Sequence, residues 1–300
     1  MKFYIPIDFY SRYSFRSRGH LMLENMDSSH GFVTNIEEVI GDDLYVFGKN
    51  FGEKELDHCI KNNINFVIDI SDYKFHKNKI KNLYEESSKY CKKFVATCKF
   101  LAQSIENMFD KECVVIPDPT ERKKGTPEIK IINPNDKIKL VTYGAHKNLR
   151  SVDFTRIVES LQEVHKNIEL KVICNNPVFG PVEFVEWNFE IQEKIVNEAD
   201  FVLIPIDYED KKRNYLRSKG NNRPIDAIQQ GKYVITSDTI PSYRDLKPFL
   251  WAGDLTLGLE DAIKNPAKAY RKVRKGQQHI DIYYTPSHVA QMWLELERSI

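Results

Sequence analysis

Short runs of β-branched and aromatic residues alternate with amphipathic stretches along nearly the whole chain. KFYIPID (2–8), DLYVFGK (43–49), INFVIDI (64–70), KFVATC (93–98) and CVVIPDP (113–119) read as strands. Helical periodicity fills the intervals near 53–62, 78–91 and 99–109. Such alternation predicts βαβ units on a parallel sheet. The pattern stops over ERKKGTPEIKIINPNDK (121–137), where charge, Pro, Gly and Asn gather without helical spacing, as in an interdomain linker. It restarts with the strand IKLVTYG (138–144) and a helix near 151–165 whose apolar face is Val152, Ile157, Val158 and Leu161. The strand IELKVIC (168–174) and the helix NFEIQEKIVNEA (188–199) follow, then the strands DFVLIPI (200–206), YVITSD (233–238) and PFLWAG (248–253). The tail from about 260 to 300 reads as helical, with Trp293, Leu294 and Leu296 buried. Two α/β domains and a closing helix are predicted.

Composition narrows the chemistry. The 300 residues suffice for two domains with substantial cores. The 44 Lys and Arg against 43 Asp and Glu leave a net charge of +1, which argues against nucleic acid as a partner and makes any anion site local. The five cysteines form no CxxC pair, so reduced thiols are expected rather than disulfides or structural zinc. No leading segment has the apolar run of a signal peptide, and no run approaches the roughly 20 apolar residues of a membrane span, so a soluble, cytoplasmic protein is expected. FHKNKIKNLYEESSKYCKK (75–93) carries lysines on a broad helical face interrupted by Glu85 and Glu86. It is open to two readings, a solvated face or peripheral contact at the inner face of a membrane.

The densest chemistry lies in RSKGNNRPIDAIQQGKYVITSD (217–238). Pro224 suits the first turn of a helix, and Gly231 the left-handed residue that ends one. The approach to that helix carries Arg217, Ser218, Lys219, Gly220, Asn222 and Arg223. It follows a strand, so it falls at the carboxyl edge of a parallel sheet, where open α/β folds bind ligands. A helix amino end and fixed cations suit a diphosphate, while a solvated basic loop is the plain alternative. Asp118 and Glu121 in IPDPTE form a candidate carboxylate pair, although turn chemistry accounts for Asp-Pro equally well. Trp187 reads as a packing residue.

The run DAIQQGKYVITSD resembles the C-terminal domain of GT-B-fold glycosyltransferases, particularly the retaining group that uses nucleotide sugars. Asp226, Ala227, Gly231 and the pair Ser237–Asp238 fall in register with that family's helix and strand, and IPSYRDL (240–246) resembles the loop beyond. LVTYGAHKNLRSVDFTRIVESL resembles its first donor-domain strand, turn and helix. The resemblance implies two Rossmann-like α/β domains with parallel sheets facing across a cleft: 1–128 for the acceptor, 129–275 for the nucleotide sugar. A helical segment 276–300 bearing Trp293 would cross back onto the first. It further implies a glycosyltransferase acting from a nucleotide-diphosphate sugar on a glycan or lipid-linked acceptor, without a metal or other cofactor, since no DxD pair is near.

In that frame Lys219, Arg223, Asp226 and His20 are the catalytic candidates. Gly144 would sit under the phosphates with Lys147 nearby, and Arg217, Ser218, Gly220 and Asn222 would complete the donor pocket. Arg16, Arg18 and Gly19, in the loop after the first strand, would meet phosphate or acceptor. The family's two glutamates, eight positions apart, are replaced by Ser218 and Asp226. That departure keeps two other readings open, a non-catalytic nucleotide-sugar-binding protein and a sugar-nucleotide epimerase.

Overall fold

The computed structural model describes residues 1–6, 16–48, 51–206, 217–237 and 240–300. Asp238 and the part of the acceptor loop before Arg16 lie outside the described residues. The chain divides into two compact units, Met1–Glu121 with Asp210–Asn221 and Tyr283–Ile300, and Arg122–Glu209 with Asn222–Ile282.

The first unit is a six-stranded sheet of β1 (Lys2–Tyr4), β2 (Gly31–Val33), β3 (Leu44–Phe47), β4 (Asn65–Ile70), β5 (Phe94–Ala96) and β6 (Cys113–Val115). The order is β2-β1-β3-β4-β5-β6, every pair parallel. Every residue of β3 and of β5 is buried, as a parallel sheet covered on both faces requires. The helices α1 (Glu53–Lys61), α2 (Asn78–Ser87) and α3 (Lys99–Phe109) belong to this unit. Tyr45, Phe47, Phe66, Phe94 and Phe109 form one apolar layer. Phe3, Val46, Val67 and Val95 form another with Trp293 and Leu296 of the C-terminal helix Pro286–Arg298. Trp293 meets Phe3 edge-on at 5.3 Å.

The second unit contains β7 (Ile138–Tyr143), β8 (Ile168–Cys174), β9 (Glu183–Glu186), β10 (Phe201–Ile204), β11 (Tyr233–Thr236) and β12 (Trp251–Ala252). They form a parallel sheet in the order β12-β11-β10-β7-β8-β9. Its helices are α4 (Phe154–Val164), α5 (Phe189–Glu198), α6 (Asn222–Gln229), α7 (Leu255–Lys264) and α8 (Pro266–Tyr283, its last residue assigned to the first unit). Side-chain caps start three of them: Asp153 accepts from Arg156 N, Asn188 from Glu190 N and Ile191 N, Asp254 from Leu257 N. Chain order reverses between β7 and β10, which makes their carboxyl ends the switch point of a doubly wound sheet.

The predicted linker has a fixed course along the second unit. Gly125 N donates to Gln229 O at 2.8 Å, and Gln277 Nε2 of α8 donates to both Gly125 O and Gln229 O. Gly231 closes α6 with φ +82°, Lys232 N reaching Ala227 O and Gly231 N reaching Ile228 O. A side chain there would stand 2.9 Å from the main chain of Thr126. All five cysteines are free and buried, and burial pushes Cys59 and Cys91 up to about 12. Among the described residues no helix is long and apolar enough to cross a membrane.

Gly231→Ala meets an unfavourable φ and a close backbone neighbour together. It should destabilise the protein by about 1–3 kcal/mol in denaturant unfolding. His30 gives a pH signature in the first unit, since its ring nitrogens contact Asp27 and Glu297, each at 2.9 Å. Burial opposes the imidazolium, but these carboxylates outweigh it and raise the His30 pKa above its ordinary value. A raised folded-state pKa stabilises fully below the unfolded value of about 6.5 and is lost as pH climbs through the folded value. The melting-temperature advantage of wild type over His30→Gln should therefore shrink as pH rises from about 6 to 8.

Candidate active site

The switch point of the second sheet holds the predicted glycine and one of the predicted arginines. Gly144 follows β7, and its N–H donates to Ile173 O at 3.1 Å. Arg223 is the second residue of α6. Its Nη1 lies 3.5 Å from Tyr143 O, while the Tyr143 phenol donates to Arg223 O at 2.8 Å. The Tyr243 hydroxyl also bonds the guanidinium. Burial raises the pKa of both phenols; Arg223 opposes that rise in each, whereas the charge of Asp226 adds to it at Tyr143. A β-carbon at Gly144 would stand 3.5 Å from Arg223 Nη1, so the glycine and the guanidinium are immediate neighbours.

Two features of this corner favour an anion. No acidic residue occupies the first turn of α6, leaving the helix dipole uncompensated there. Among the described residues no carboxylate pairs with Arg223. Asn222 opens the helix, and Asp226 is buried one turn in. Lys147 is exposed on the short helix His146–Leu149, just after Gly144. Ser237 ties the ends of β10 and β11, accepting from Ile206 N at 2.7 Å. Trp187 donates to Gln192 Oε1 at 2.8 Å, a packing role.

The rest of the predicted basic segment belongs to the first unit. Lys219 Nζ pairs with Asp72 Oδ1 at 2.8 Å, and buried Ser218 accepts from Tyr73 N at 3.1 Å. Arg217 lies over the Phe100 ring at 4.4 Å. A β-carbon at Gly220 would fall 2.5 Å from Asp118 Oδ2, so only glycine lets the segment approach that carboxylate. Arg18 is buried, clamping Asp69 through two bonds of 2.6 and 2.7 Å and reaching Ile116 O and Asp118 Oδ1. Burial disfavours its charge, yet the two aspartates outweigh that and raise its pKa. Burial also raises the Asp118 carboxyl, with Arg18 opposing.

Arg16 grips Glu121 through two bonds of 3.1 and 2.7 Å. Asp118 and Glu121 thus each hold a separate arginine. Gly19 packs where a β-carbon would stand 2.6 Å from Ile5. His20 sits edge-on to Phe32 at 5.1 Å, and burial lowers its pKa against the opposing charge of Glu24.

Lys219 and Arg223, four positions apart, are therefore assigned to different units, and each has a different partner chemistry. The residues sequence reasoning missed are Asp69, Asp72, Tyr143 and Tyr243. Asp69 left a trace, an acid inside the apolar run INFVIDI; the tyrosines left none. Among the described residues no group of three or more His, Cys, Asp or Glu is arranged to hold a metal.

No protein-family model matches the chain, and no curated protein matches it. Solved structures do. Anabaena HepE in complex with UDP and glucose superposes with a TM-score of 0.68 at 9% identity, covering 100% of this chain and 99% of that one. Staphylococcus aureus TarM, in complex with fondaparinux, alpha-GlcNAc-glycerol and UDP, gives 0.58 at 14%, covering 87% of this chain and 57% of that chain. The pneumococcal O-GlcNAc transferase GtfA, in complex with UDP and GlcNAc, gives 0.56 at 12%, covering 94% and 59%. The likeness is one of fold: the chain has the GT-B architecture of two Rossmann-like units, each built on a six-stranded parallel sheet.

Proposed function

We propose that this protein transfers a sugar from a nucleoside-diphosphate donor to a hydroxyl-bearing acceptor. The observation that carries the reading is Arg223: a guanidinium without a carboxylate partner among the described residues, beside Gly144, at the amino end of α6 and the switch point of its sheet. The fold neighbours solved with UDP support it. In the reaction the bond from the anomeric carbon to the diphosphate oxygen breaks, and its electron pair stays on the diphosphate. The acceptor oxygen bonds to that carbon, and its proton passes to the departing diphosphate or to water. Arg223 and the amino end of the α6 dipole stabilise the departing charge, a preorganised contribution whose loss elsewhere costs about 10²–10³ in rate.

The other candidates take supporting parts. Lys147 and Asn222 flank the diphosphate, and Lys219 holds the approach to α6 through Asp72. His20, whose charged form burial disfavours against the opposing charge of Glu24, is the acceptor-side candidate. Arg16 and Arg18, engaged with carboxylates, shape that region. A divalent ion has no assigned task in this scheme, and turnover is expected to survive a chelator.

One observation favours a second reading. Ser218, where the resembling family carries its donor-sugar glutamate, is fully buried and bonded to Tyr73, so it offers the sugar no carboxylate. A non-catalytic nucleotide-sugar binder is the alternative.

Calorimetric titration with UDP, GDP and ADP separates the outcomes. Arg223→Ala should weaken diphosphate binding about 10–100-fold, in line with the loss of a charged hydrogen bond, and leave the nucleoside unaffected. Equal losses for both ligands would remove Arg223 from the phosphate site. Lys219→Ala should lower the melting temperature as well as affinity. Incubation with UDP-, GDP- and ADP-sugars then reads transfer, epimerisation without an acceptor, or binding with no turnover; the last supports the second reading.

A further inference from the structure

Helix α8 carries a cationic outer face. At 3.6 residues per turn, Ala267, Lys268, Arg271, Arg274, Lys275, Gln278, Asp281 and Ile282 fall on one arc, and all are exposed. Val273, Gly276, Gln277 and Ile280 fall on the buried side. The two edges of the arc are neutralised, Lys268 by Asp261 at 3.0 Å and Asp281 by Lys124. Its centre is not: among the described residues Arg271, Arg274 and Lys275 form no ion pair. Arg274 rests over the Tyr270 ring at 5.8 Å, and Ile282 is 57% exposed beyond them.

In a chain of net charge +1 such an excess stands out. In the lysine-rich stretch 75–93 the cations are interrupted by Glu85 and Glu86, and Lys79 and Lys89 are paired with Glu53 and Glu86. Three cations within about two turns repel one another in water, and a facing anionic plane removes that repulsion.

We propose that this face of α8 docks on an anionic phospholipid surface. The arc is convex and runs about 23 Å along the helix, which suits a plane rather than a groove. Arg271, Arg274 and Lys275 meet the headgroup charge, and Ile282 supplies an apolar contact on the same arc.

Flotation of the full-length protein with vesicles tests this. The protein should rise with mixed phosphatidylcholine–phosphatidylglycerol vesicles, not with phosphatidylcholine alone, and should be released by high salt. R271Q/R274Q/K275Q should lower partitioning about 100-fold, roughly fivefold per charge. Its melting temperature and UDP affinity should match wild type. I282S should weaken binding to vesicles but not to double-stranded DNA. Absence of wild-type binding to the anionic vesicles overturns the proposal, as does undiminished binding by the triple variant. Binding to DNA as tight as to vesicles at the same salt also overturns it, by making the face a general polyanion site.

Discussion

Tyr143 and Arg223 hold each other in both directions, phenol to carbonyl and guanidinium to carbonyl. The first bond, at 2.8 Å, is strong enough to set where α6 begins against the end of β7. The second, at 3.5 Å, is at the outer limit of a hydrogen bond and leaves the cation available. The reversal of strand order between β7 and β10 puts this pair where an open parallel sheet exposes its loops. Without that junction the glycine after β7 and the start of α6 would be two unrelated surface features.

Both units bury charge. The second buries Arg122 against Glu193 at 3.3 Å; in the first, Arg18, Asp69 and Asp118 are each nearly inaccessible, and Lys219 meets Asp72 close by. Such a cluster is weak evidence for extra stability, because desolvation offsets much of the attraction, but removing one member would strand another. Among the described residues of the second unit, Arg223 and the central cations of α8, Arg271, Arg274 and Lys275, form no ion pair.

Much of this was legible in the residues. The alternation of apolar runs and amphipathic stretches marked the order of strands and helices, and Gly231 announced the end of α6 through its left-handed conformation. The placement of Arg223 at a helix start and of Gly144 after a strand end was legible because each has a local signature. Lys219 was not, since its partner Asp72 lies 147 positions away and nothing near either residue encodes the pairing. Arg18 is similar: its charge looked available beside Gly19 and His20, while Asp69 belongs to a distant strand. The reversal β10-β7-β8 also has no local trace.

The bonds of Gln277 to Gly125 and Gln229 bear on the order of events during synthesis. The second unit cannot be closed around its own opening residues until the ribosome has released a helix about 150 positions downstream. The first unit waits longer still, because the ring that seats against Phe3 is Trp293. Both units therefore keep part of their packing unmade until Gln277 and Trp293 have emerged, and a deletion of the helix Pro286–Arg298 would leave Phe3 of β1 without the ring that covers it.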